Sequence, residues 1–485
     1  MPIAKIIVKD EVNVKIEGLH LDDRKALVKQ FEYEIPGARY IPSVKLGRWN
    51  GKVSYFQLGG STYINLLDQI IPYLEERGYD IDLDDIRDYS CSFTFNTVTE
   101  QTFSHYVWPT GHPKEGEPIV LRDYQVEITN QFLANPQCVQ EIATGAGKTL
   151  ITAALSHSCE AFGKTLVIVP NKSLVTQTEE DYKNLNLDVG VYFGDRKELG
   201  HTHTIVTWQS LNNIIKNTAD GVGDITIQEF IEGVVALVID ECHMAKADVL
   251  KSMLSGSMSK IAIRWGLTGT IPKEKFASEA LLTCIGPVIN KLAATDLQDR
   301  GVLANCHVHV VQLQDHAEFK TYQNELKYLL EQENRLDIIA NIIDKVKESG
   351  NTLILVDRIT AGKELVKRLP NSVFVSGSTS NKKRKEEYAE VAVQDEKIIV
   401  ATYGVAAVGI NIPRIFNLVF IEPGKSFVRV IQSIGRGLRK AEDKDFVQIY
   451  DITSSCKFSK RHLTQRKTFY KEANYPFTME KLNYK

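Results

Sequence analysis

The chain has 485 residues, of which 43% are hydrophobic and 25% are charged. This balance is typical of a globular protein of about three domains, and it excludes disordered, collagen-like and small disulfide-stapled chains. The formal net charge of −3 excludes nucleic-acid binding through bulk charge, so any such binding would need local basic patches.

The first 95 residues predict a small α+β accessory domain. Their apolar patterns predict two strands and then two helices, at residues 5–9, 12–16, 21–31 and 66–74. The dipeptide Asn50-Gly51 predicts a hairpin whose two strands lie within residues 45–58. Prolines and glycines crowd the end of residues 96–118, which predicts a linker.

From residue 119 onwards, short apolar runs alternate with helical stretches. Such runs predict buried parallel strands joined by crossover helices, and therefore an α/β fold. The runs lie at residues 166–169, 205–206, 235–239 and 261–267, and then at residues 307–313, 353–356, 373–375, 398–401, 418–421 and 447–450. The pattern predicts two successive doubly wound units, at residues 119–300 and 301–485.

A glycine-rich segment lies between an apolar run and a helix in the first unit. It consists of Glu141, Ile142, Ala143, Thr144, Gly145, Ala146, Gly147, Lys148 and Thr149. Glycines let backbone N–H groups turn towards phosphate oxygens, and the following helix N-terminus adds a positive dipole end. Lys148 would bind the β- and γ-phosphates, and the Thr149 hydroxyl would bind Mg²⁺. Ile142 replaces the first glycine of GxxxxGK[ST], and a turn that merely starts a helix is the alternative.

A pair of carboxylates follows the apolar run at residues 235–239. Asp240 and Glu241 stand at the carboxyl end of this predicted strand, where open α/β sheets bind their ligands. Asp240 would hold Mg²⁺, and Glu241 would orient and deprotonate the attacking water. A solvated acidic loop is the alternative, which the apolar strand disfavours because buried charges need a partner or a metal. Together with Lys148, the pair predicts a P-loop NTPase.

Two further groups refine the nucleotide hypothesis. Gln125, with Arg122 close before it, precedes the glycine-rich segment, and a glutamine amide can pair with the donor and acceptor of an adenine edge, which favours ATP. In the second unit, Arg436 and Arg439 lie three residues apart and share a helix face. An arginine finger from the opposite domain would offset the charge that develops in phosphoryl transfer. A solvated basic helix is the alternative.

Taken in order, these segments resemble the motifs of superfamily 2 helicases of the DExH type over roughly residues 119–455. The matching segments are residues 121–125, 144–149, 169–177, 207–211, 240–243, 268–270, 352–358, 401–412 and 432–439. Residues 39–52 bring the chain closer to bacteriophage UvsW-type helicases, with kinship to the XPB and RecG branch. The resemblance implies two tandem RecA-like parallel-sheet domains that use ATP and Mg²⁺.

The same resemblance implies roles for individual residues. It implies a nucleotide contact at Gly409 and a catalytic role for Gln432 beside Arg436 and Arg439. It implies that His243, Thr268 and Thr270 couple hydrolysis to strand movement. It implies nucleic-acid contacts at Asn171, Thr207, Trp208, Gln209, Ser210 and Thr402.

Two basic segments are candidates for DNA contact on their own chemistry. Arg48, Trp49 and Lys52 lie with Arg39, Tyr40 and Lys45 around the predicted hairpin. Cations suit phosphates, and an aromatic ring among them could stack on an unpaired base. The alternative is that the aromatic side chains belong to the core. A second basic stretch at residues 457–471 predicts a DNA-facing helix, with a merely solvated helix as the alternative.

The resemblance implies an ATP-dependent DNA helicase or translocase that remodels Holliday junctions, forks and displacement loops in replication, recombination and repair. An RNA helicase, the motor of a restriction or repair nuclease, and an ATP-controlled DNA clamp remain alternatives. Single-strand-binding or recombination proteins are expected partners, and a monomer is the expected active form. Seven cysteines without CxxC spacing and the lack of a roughly 20-residue apolar stretch predict a cytoplasmic protein, in the host cytoplasm if phage-encoded, without zinc, an iron–sulfur cluster or a membrane span.

Overall fold

The computed structural model describes residues 2–35, 37–87, 92–110, 112, 114–245, 247–379, 381–405, 414–424, 434, 438 and 443–484. The chain divides into two compact units. The first comprises Met1–Ile142 and Gly147–Lys291, and the second comprises Ala143–Ala146 and Leu292–Lys485. The domain boundaries inferred from the sequence stay predictions.

The amino-terminal part of the first unit contains a mixed four-stranded sheet. Its elements are β1 (Ile3–Val8), β2 (Asn13–Glu17), α1 (Leu21–Gln30), β5 (Ser61–Tyr63), α3 (Leu67–Glu76) and β6 (Asp80–Asp85). The strand order is β5-β2-β1-β6, with β2 antiparallel and β6 parallel to β1. Every second residue of β1 is buried, which explains why the alternating apolar pattern predicted this strand. The strand β6 was missed, because its sequence DIDLDD is dominated by aspartates.

The predicted hairpin at Asn50-Gly51 is wrong. A helical turn, α2 (Pro42–Lys45), occupies the place of its first strand, and only β4 (Lys52–Ser54) follows the dipeptide. β4 pairs antiparallel with β3 (Glu32–Glu34), about 20 residues earlier in the chain. Gly51 has φ of +76°, and its carbonyl accepts the Ile35 N–H. The glycine therefore turns the chain onto a distant strand, a choice that local turn chemistry does not specify.

Residues 92–118 contain no helix or strand within their described positions, apart from one bridge between Val107 and Pro118. The segment is nevertheless packed. The Phe95 ring lies 5.3 Å from the Phe162 ring and 5.9 Å from the Trp265 ring, and Phe103 is buried. The segment that contains the predicted linker therefore packs against the first sheet domain.

The main sheet of the first unit has eight strands in the order β10-β9-β11-β8-β12-β13-β7-β14. They are β7 (Gln137–Ile142), β8 (Lys164–Val169), β9 (Val189–Phe193), β10 (Arg196–Lys197), β11 (His203–Thr207), β12 (Val234–Asp240), β13 (Ile263–Thr268) and β14 (Val288–Leu292). Its helices are α4 (Asp123–Ala134), α5 (Lys148–Cys159), α6 (Lys172–Asn184), α7 (Trp208–Ala219), α8 (Ile227–Phe230), α9 (Ala247–Ser252) and α10 (Lys275–Cys284). A π-helical turn (Met253–Ser257) follows α9.

The second unit is built on a seven-stranded sheet in the order β17-β18-β16-β19-β20-β15-β21. Its strands are β15 (Asn305–Leu313), β16 (Thr352–Val356), β17 (Ser372–Val375), β18 (Ile398–Thr402), β19 (Asn417–Ile421), β20 (Phe446–Ser454) and β21 (Phe477–Leu482). Its helices are α11 (Ala294–Asp299), α12 (Tyr322–Glu331), α13 (Glu333–Val346), α14 (Ile359–Arg368), α15 (Asn381–Val393) and α16 (Lys457–Glu472). All the pairings recorded for this sheet are parallel.

The two sheets share one strand order. The series β9-β11-β8-β12-β13-β7 in the first unit corresponds, strand for strand along the chain, to β17-β18-β16-β19-β20-β15 in the second. The prediction of an α/β fold with two parallel-sheet domains is therefore confirmed. In both sheets the central strands are buried on both faces, which is why they read as continuous apolar runs.

The accessory sheet and one face of the first main sheet enclose a common core. The Tyr55 hydroxyl donates to the Phe276 carbonyl at 3.0 Å, and the Lys251 ammonium lies 4.4 Å from the centre of the Tyr55 ring. Burial raises the pKa of the Tyr55 phenol well above its ordinary value. Within the described part of the chain, no helix has the length and apolar character needed to cross a bilayer.

Candidate functional site

The glycine-rich segment forms the turn between β7 and α5. Gly145 and Gly147 have φ of +94° and +78°, in the left-handed region that side chains disfavour. Gly147 is the N-cap of α5, so Lys148 and Thr149 occupy the first turn of a twelve-residue helix. The free N–H groups of such a turn suit an anion. Ile142 ends β7 as a fully buried residue, and its carbonyl accepts the Lys148 ammonium at 3.4 Å.

Lys148 and Glu241, 93 residues apart in sequence, form an ion pair. The Lys148 Nζ lies 2.8 Å from the Glu241 Oε1, and both side chains are largely buried. The Gly269 N–H also donates to Glu241 Oε2 at 3.3 Å. Burial by itself would raise the pKa of the Glu241 carboxyl, but the charge and hydrogen bond of Lys148, with further interactions from His243 and the Gly269 N–H, together outweigh it and hold the pKa below its usual value. Glu241 is therefore ionised at neutral pH.

Asp240 and Thr149 supply the oxygen atoms expected for a divalent ion. Asp240 is the last residue of β12 and is buried, and its Oδ1 accepts the Glu241 N–H at 2.9 Å. Thr149 lies in the first turn of α5. A carboxylate and a hydroxyl are hard ligands of the kind that Mg²⁺ prefers, usually completed by waters and substrate phosphates. The donor chemistry of the two residues therefore fits Mg²⁺.

His243 connects the carboxylate segment to the end of β13. Its Nδ1 lies 2.5 Å from the Thr268 hydroxyl oxygen and 3.4 Å from Glu241 Oε2. The Thr268 hydroxyl donates to the Thr270 carbonyl at 2.8 Å, so the proton between His243 and Thr268 belongs to Nδ1. Burial lowers the pKa of His243, which keeps the imidazole neutral near pH 7. The predicted coupling residues His243, Thr268 and Thr270 thus form one hydrogen-bonded chain beside Glu241.

Gln125 lies against the glycine-rich segment. It is buried on the first turn of α4, and its Oε1 accepts the Arg122 N–H at 2.9 Å. The Arg122 guanidinium donates to the Tyr124 hydroxyl at 2.9 Å. The structure therefore brings together Arg122, Gln125, Gly147, Lys148 and Glu241 from three separate stretches of sequence.

Comparison with known proteins identifies the family. The family described as "Type III restriction enzyme, res subunit" matches residues 118–273, and "Helicase conserved C-terminal domain" matches residues 334–441. The chain is 24% identical over 463 residues to the ATP-dependent DNA helicase uvsW of Enterobacteria phage T4, which covers 90% of this chain and 88% of that protein. These matches support a superfamily 2 helicase that is similar to the phage protein.

Two more distant similarities agree with this assignment. The chain is 25% identical over 371 residues to the DNA 3'-5' helicase XPB of Kineococcus radiotolerans, covering 74% of this chain and 64% of that one. The solved structure of the ATP-dependent Type ISP restriction-modification enzyme LlaBIII bound to DNA matches at a TM-score of 0.56 and 17% identity, over 87% of this chain and 36% of that chain. This structural match shows a shared fold.

Several candidate residues of this helicase lie outside the described residues. They are Gly409, Gln432, Arg436 and Arg439. Their roles stay predictions of the sequence. The two described neighbours, Ile434 and Leu438, are both buried.

Most of the candidate nucleic-acid residues lie at the ends of parallel strands. Asn171 and Thr207 cap the N-termini of α6 and α7, where their side-chain oxygens accept the N–H groups of Leu174 and Ser210. The Thr207 hydroxyl also donates to the Ser210 hydroxyl at 3.0 Å. Gln209 is exposed and Thr402, the last residue of β18, is half-buried.

The prediction that Trp208 contacts nucleic acid is wrong for its side chain. Trp208 is only 8% exposed and belongs to the hydrophobic core of the first unit. A large indole on the first turn of an amphipathic helix is stabilised by facing the sheet, which removes its ring from solvent. Gln209, the next residue, takes the outward position instead.

The basic segment of the accessory domain is largely exposed. Arg48 and Lys52 are exposed and Trp49 is half-buried, with its indole N–H donating to the Lys52 carbonyl at 3.0 Å. Tyr40 is 65% exposed, and the Arg39 guanidinium lies 4.8 Å from its ring centre. The alternative that Tyr40 belongs to the core is therefore wrong. Lys52 forms an ion pair with Glu32 at 3.0 Å, which reduces its availability for phosphate.

A buried ionic network in the second unit was not foreseen. Arg335 is fully buried and donates to Asp315 at 3.3 Å and to Glu422 at 2.5 Å. Asp315 and Glu422 follow β15 and β19, and these strands correspond to β7 and β12 of the first sheet. The second unit thus places an internal arginine among the carboxylates that follow these two strands. The αL conformation of Glu422, with φ of +45°, parallels that of Glu241, with φ of +49°.

Proposed function

We propose that the protein is an ATP-dependent DNA helicase or translocase that remodels branched DNA, including Holliday junctions, forks and displacement loops. The observation that carries the enzymatic part is the Lys148–Glu241 ion pair beside a glycine-rich turn. Similarity to the superfamily 2 helicases and the DNA helicase names of its relatives support the choice of DNA. The branched substrate rests on the similarity to the phage protein.

The ion pair suggests how nucleotide binding prepares the site for hydrolysis. Phosphate oxygens of ATP compete with Glu241 for the Lys148 ammonium, because both are anions that need the same cation. Once Lys148 binds the β- and γ-phosphates, Glu241 Oε1 loses this cation and accepts a hydrogen bond from water instead, while Oε2 keeps the Gly269 N–H. Glu241 then orients that water and takes its proton during attack on the γ-phosphate.

Mg²⁺ would be held by Thr149 and Asp240 together with the phosphates. When bound, the ion would offset negative charge on the β- and γ-phosphates. Gln432, Arg436 and Arg439 are proposed to complete the catalytic set, with the two arginines acting as the finger that stabilises the transferred phosphoryl group. Gly409 is proposed as a nucleotide contact, and Gln125 with Arg122 as the adenine contacts.

The chain from Glu241 through His243 to Thr268 and Thr270 is proposed to transmit the hydrolysis state. A change at Glu241 alters the hydrogen bond that the His243 Nδ1–H shares with Thr268. Thr268 ends β13, so the change reaches the segment that follows this strand. The link is short and buried: it consists of the side chains of Glu241, His243 and Thr268 and ends at the Thr270 main-chain carbonyl. A short, buried chain of this kind favours two discrete states.

DNA contacts are proposed at two places. Asn171, Thr207, Gln209, Ser210 and Thr402 lie at strand ends, where hydroxyls, amides and backbone N–H groups suit the phosphates of a tracked strand. Arg48, Trp49 and Lys52 on the accessory domain suit the junction itself, with cations for phosphates and a half-buried ring beside them. Recombination proteins as partners, and a monomeric active form, also remain proposals.

One comparison tests the function. ATP-dependent conversion is measured side by side on synthetic four-way junctions, forks, tailed duplexes and duplex RNA, with Glu241→Gln as the inactive control. We expect junctions and forks to be converted fastest and to stimulate ATP hydrolysis most. Preferential stimulation by duplex RNA would replace the proposal with an RNA helicase. DNA binding without stimulated turnover would replace it with an ATP-controlled clamp.

The accessory domain is best tested with point variants of the full chain. Tyr55 and Phe56 share a core with α10, so removal of residues 1–95 would expose apolar surface of the motor. The double variant Arg48→Gln with Trp49→Ala is expected to keep basal ATP hydrolysis and to slow junction conversion. Equal junction rates for the variant and the parent protein would reject the role of this segment.

A further inference from the structure

Helix α16 carries a row of cations along its exposed face. They are Lys457, Lys460, Arg461, Lys467 and Lys471. At about 3.6 residues per turn, these five positions fall within roughly a third of the helix circumference. We call them the α16 cationic face.

Within the part of the chain that the structure describes, these five cations have no carboxylate partner. None of them forms an ion pair with a carboxylate among the described residues. Other cations of the second unit do: Arg368 lies 2.6 Å from Asp337, Lys397 lies 2.9 Å from Glu390, and Arg414 lies 2.7 Å from Asp443. An unneutralised row of five like charges repels itself, so the row is stabilised by an external polyanion.

The sixth cation of the helix points the other way. Arg466 is 1% exposed, and its guanidinium binds both oxygens of Asp451 at 2.8 and 2.9 Å and the Gly424 carbonyl at 2.8 Å. Arg466 is one of the cations of the basic stretch predicted at residues 457–471, and for this residue the prediction that the side chain faces DNA is wrong. A guanidinium on the sheet-facing side needs an internal carboxylate, because an unpaired buried charge is costly.

The helix is firmly attached to the second sheet domain. The Glu325 carboxylate accepts the N–H groups of Phe458 and Ser459 at 3.0 and 2.7 Å, which caps the start of α16. The Ser459 hydroxyl donates to Glu422 at 2.9 Å. Near the other end, the Tyr470 hydroxyl donates to Asp451 at 2.8 Å. The cationic face is thus held at fixed spacing on a rigid support.

We infer that the α16 cationic face binds the sugar–phosphate backbone of a DNA duplex arm. The inference rests on the proposed function and specifies one of its contact surfaces. From Lys457 to Lys471 the helix advances about 21 Å, which matches the phosphates of about six base pairs along a duplex. A duplex is favoured over a single strand because single-strand sites combine cations with exposed stacking platforms. Two rings lie beside the face, Phe458 at 5.8 Å from the Lys457 ammonium and Phe477 at 5.9 Å from the Lys467 ammonium, but both are half-buried and already face these cations.

Within α16, Phe458 and Phe469 are half-buried and lie to one side of the cationic face. Between the cations stand Thr464 and Thr468, whose hydroxyls donate to carbonyls one turn earlier in the same helix. The face therefore offers charge and little else. Its contribution should be independent of base sequence and sensitive to salt.

The test uses the full-length variant Lys460→Gln with Arg461→Gln. Its matched control is Lys345→Gln with Lys363→Gln, which removes two exposed charges from α13 and α14 of the same unit. Binding to a blunt duplex of mixed sequence and to a single strand of equal length is measured from 50 to 200 mM salt. ATP affinity and thermal unfolding check that each protein is intact.

We expect the α16 variant to bind the duplex more weakly, with a salt slope smaller in magnitude by about two, at about 0.9 for each lost phosphate contact. Single-strand binding and ATP affinity should match the control. Duplex affinity and slope equal to those of the control would overturn the inference, as would a loss confined to the single strand. A parent protein without DNA-stimulated ATP hydrolysis would instead reject the proposed function, so the two failures are distinguishable.

Discussion

A methyl group added to Gly147 would lie 2.5 Å from Nε2 of Gln125. The glutamine amide therefore packs directly on the N-cap of α5, although 22 residues separate the two in sequence. The same amide holds the Arg122 N–H through Oε1 at 2.9 Å. A residue proposed to contact the base of the nucleotide is thus in contact with the turn proposed to bind its phosphates.

Gly147→Ala is expected to weaken ATP binding by about tenfold, or about 1.4 kcal/mol. The alanine methyl would meet Gln125, and a φ of +78° adds strain of about 1 kcal/mol. The matched control is Gly221→Ala, with a φ of +67° and open space around its α-carbon. Calorimetric titration with a nonhydrolysable ATP analogue measures the effect. Equal affinities for the two variants would contradict the packing argument.

Lys148→Ala should abolish nucleotide binding, whereas Glu241→Gln should bind normally and lose turnover by about 10²- to 10⁴-fold. The lysine supplies the positive charge for the phosphates, and the glutamate supplies only the base. Lys216→Ala, on the exposed side of α7, controls for loss of one lysine. Binding and steady-state hydrolysis are measured separately. Normal hydrolysis by Glu241→Gln would refute its assignment as the base.

Thr268→Val is expected to uncouple hydrolysis from strand movement while it preserves ATP binding. Valine keeps the shape but cannot accept the His243 Nδ1–H or donate to the Thr270 carbonyl. Thr283→Val is the control, because Thr283 is equally buried and its hydroxyl bonds, among the described residues, to partners within α10. The measurement is ATP consumed per strand displaced, which should rise for Thr268→Val alone. An unchanged ratio would exclude the hydrogen-bonded chain as the coupling route.

Glu179 provides a pH test of stability away from the site. Both of its oxygens accept the Arg196 guanidinium at 2.7 Å, and this bonding lowers the pKa of the Glu179 carboxyl to about 2. Because the folded pKa lies below the unfolded value of about 4.5, the contribution is fully present above about pH 4.5 and is lost as the pH falls towards 2. Arg196 is 42% exposed, so solvent screening limits the contribution to about 1 kcal/mol.

Glu179→Gln should therefore lower the free energy of unfolding by about 1 kcal/mol at pH 7 and by progressively less below pH 4.5. Urea unfolding at pH 7, 5 and 4 measures the difference. Glu232→Gln, at an exposed position without an ion pair in the described part of the chain, should match the parent protein at each pH. If the difference in unfolding free energy between Glu179→Gln and the parent protein grew as the pH fell, the lowered pKa of Glu179 would be contradicted.

Much of the fold and of the nucleotide site could be predicted from the sequence. Strands β8, β12, β16 and β19 are buried on both faces, so each of them is a continuous apolar run that the sequence shows directly. Helix α5 was located because Gly147 and Lys148 sit at its start. Such signals are local, since backbone conformation and side-chain periodicity act over a few residues.

Other features depended on partners that are distant in the chain. The pairing of β4 with β3, the burial of Trp208 and the inward direction of Arg466 were each missed or misassigned from sequence. In each case the local pattern allows two outcomes. The outcome depends on a partner that is distant in the chain: an apolar surface that buries the side chain, or a carboxylate such as Asp451 that pairs with it.

By itself, the sequence determined that a glycine-rich turn, a strand-end carboxylate pair and two sets of parallel strands occur in this order, because each is encoded within a short stretch. Only the tertiary structure decided that the Lys148 ammonium lies 2.8 Å from Glu241 and that His243 contacts Thr268. Those distances follow from strand order in the sheet, which places β7, β13 and β12 side by side. Strand order depends on the free energy gained when entire sheet faces are buried. Residues far apart in the sequence contribute to this free energy, so no short segment determines it.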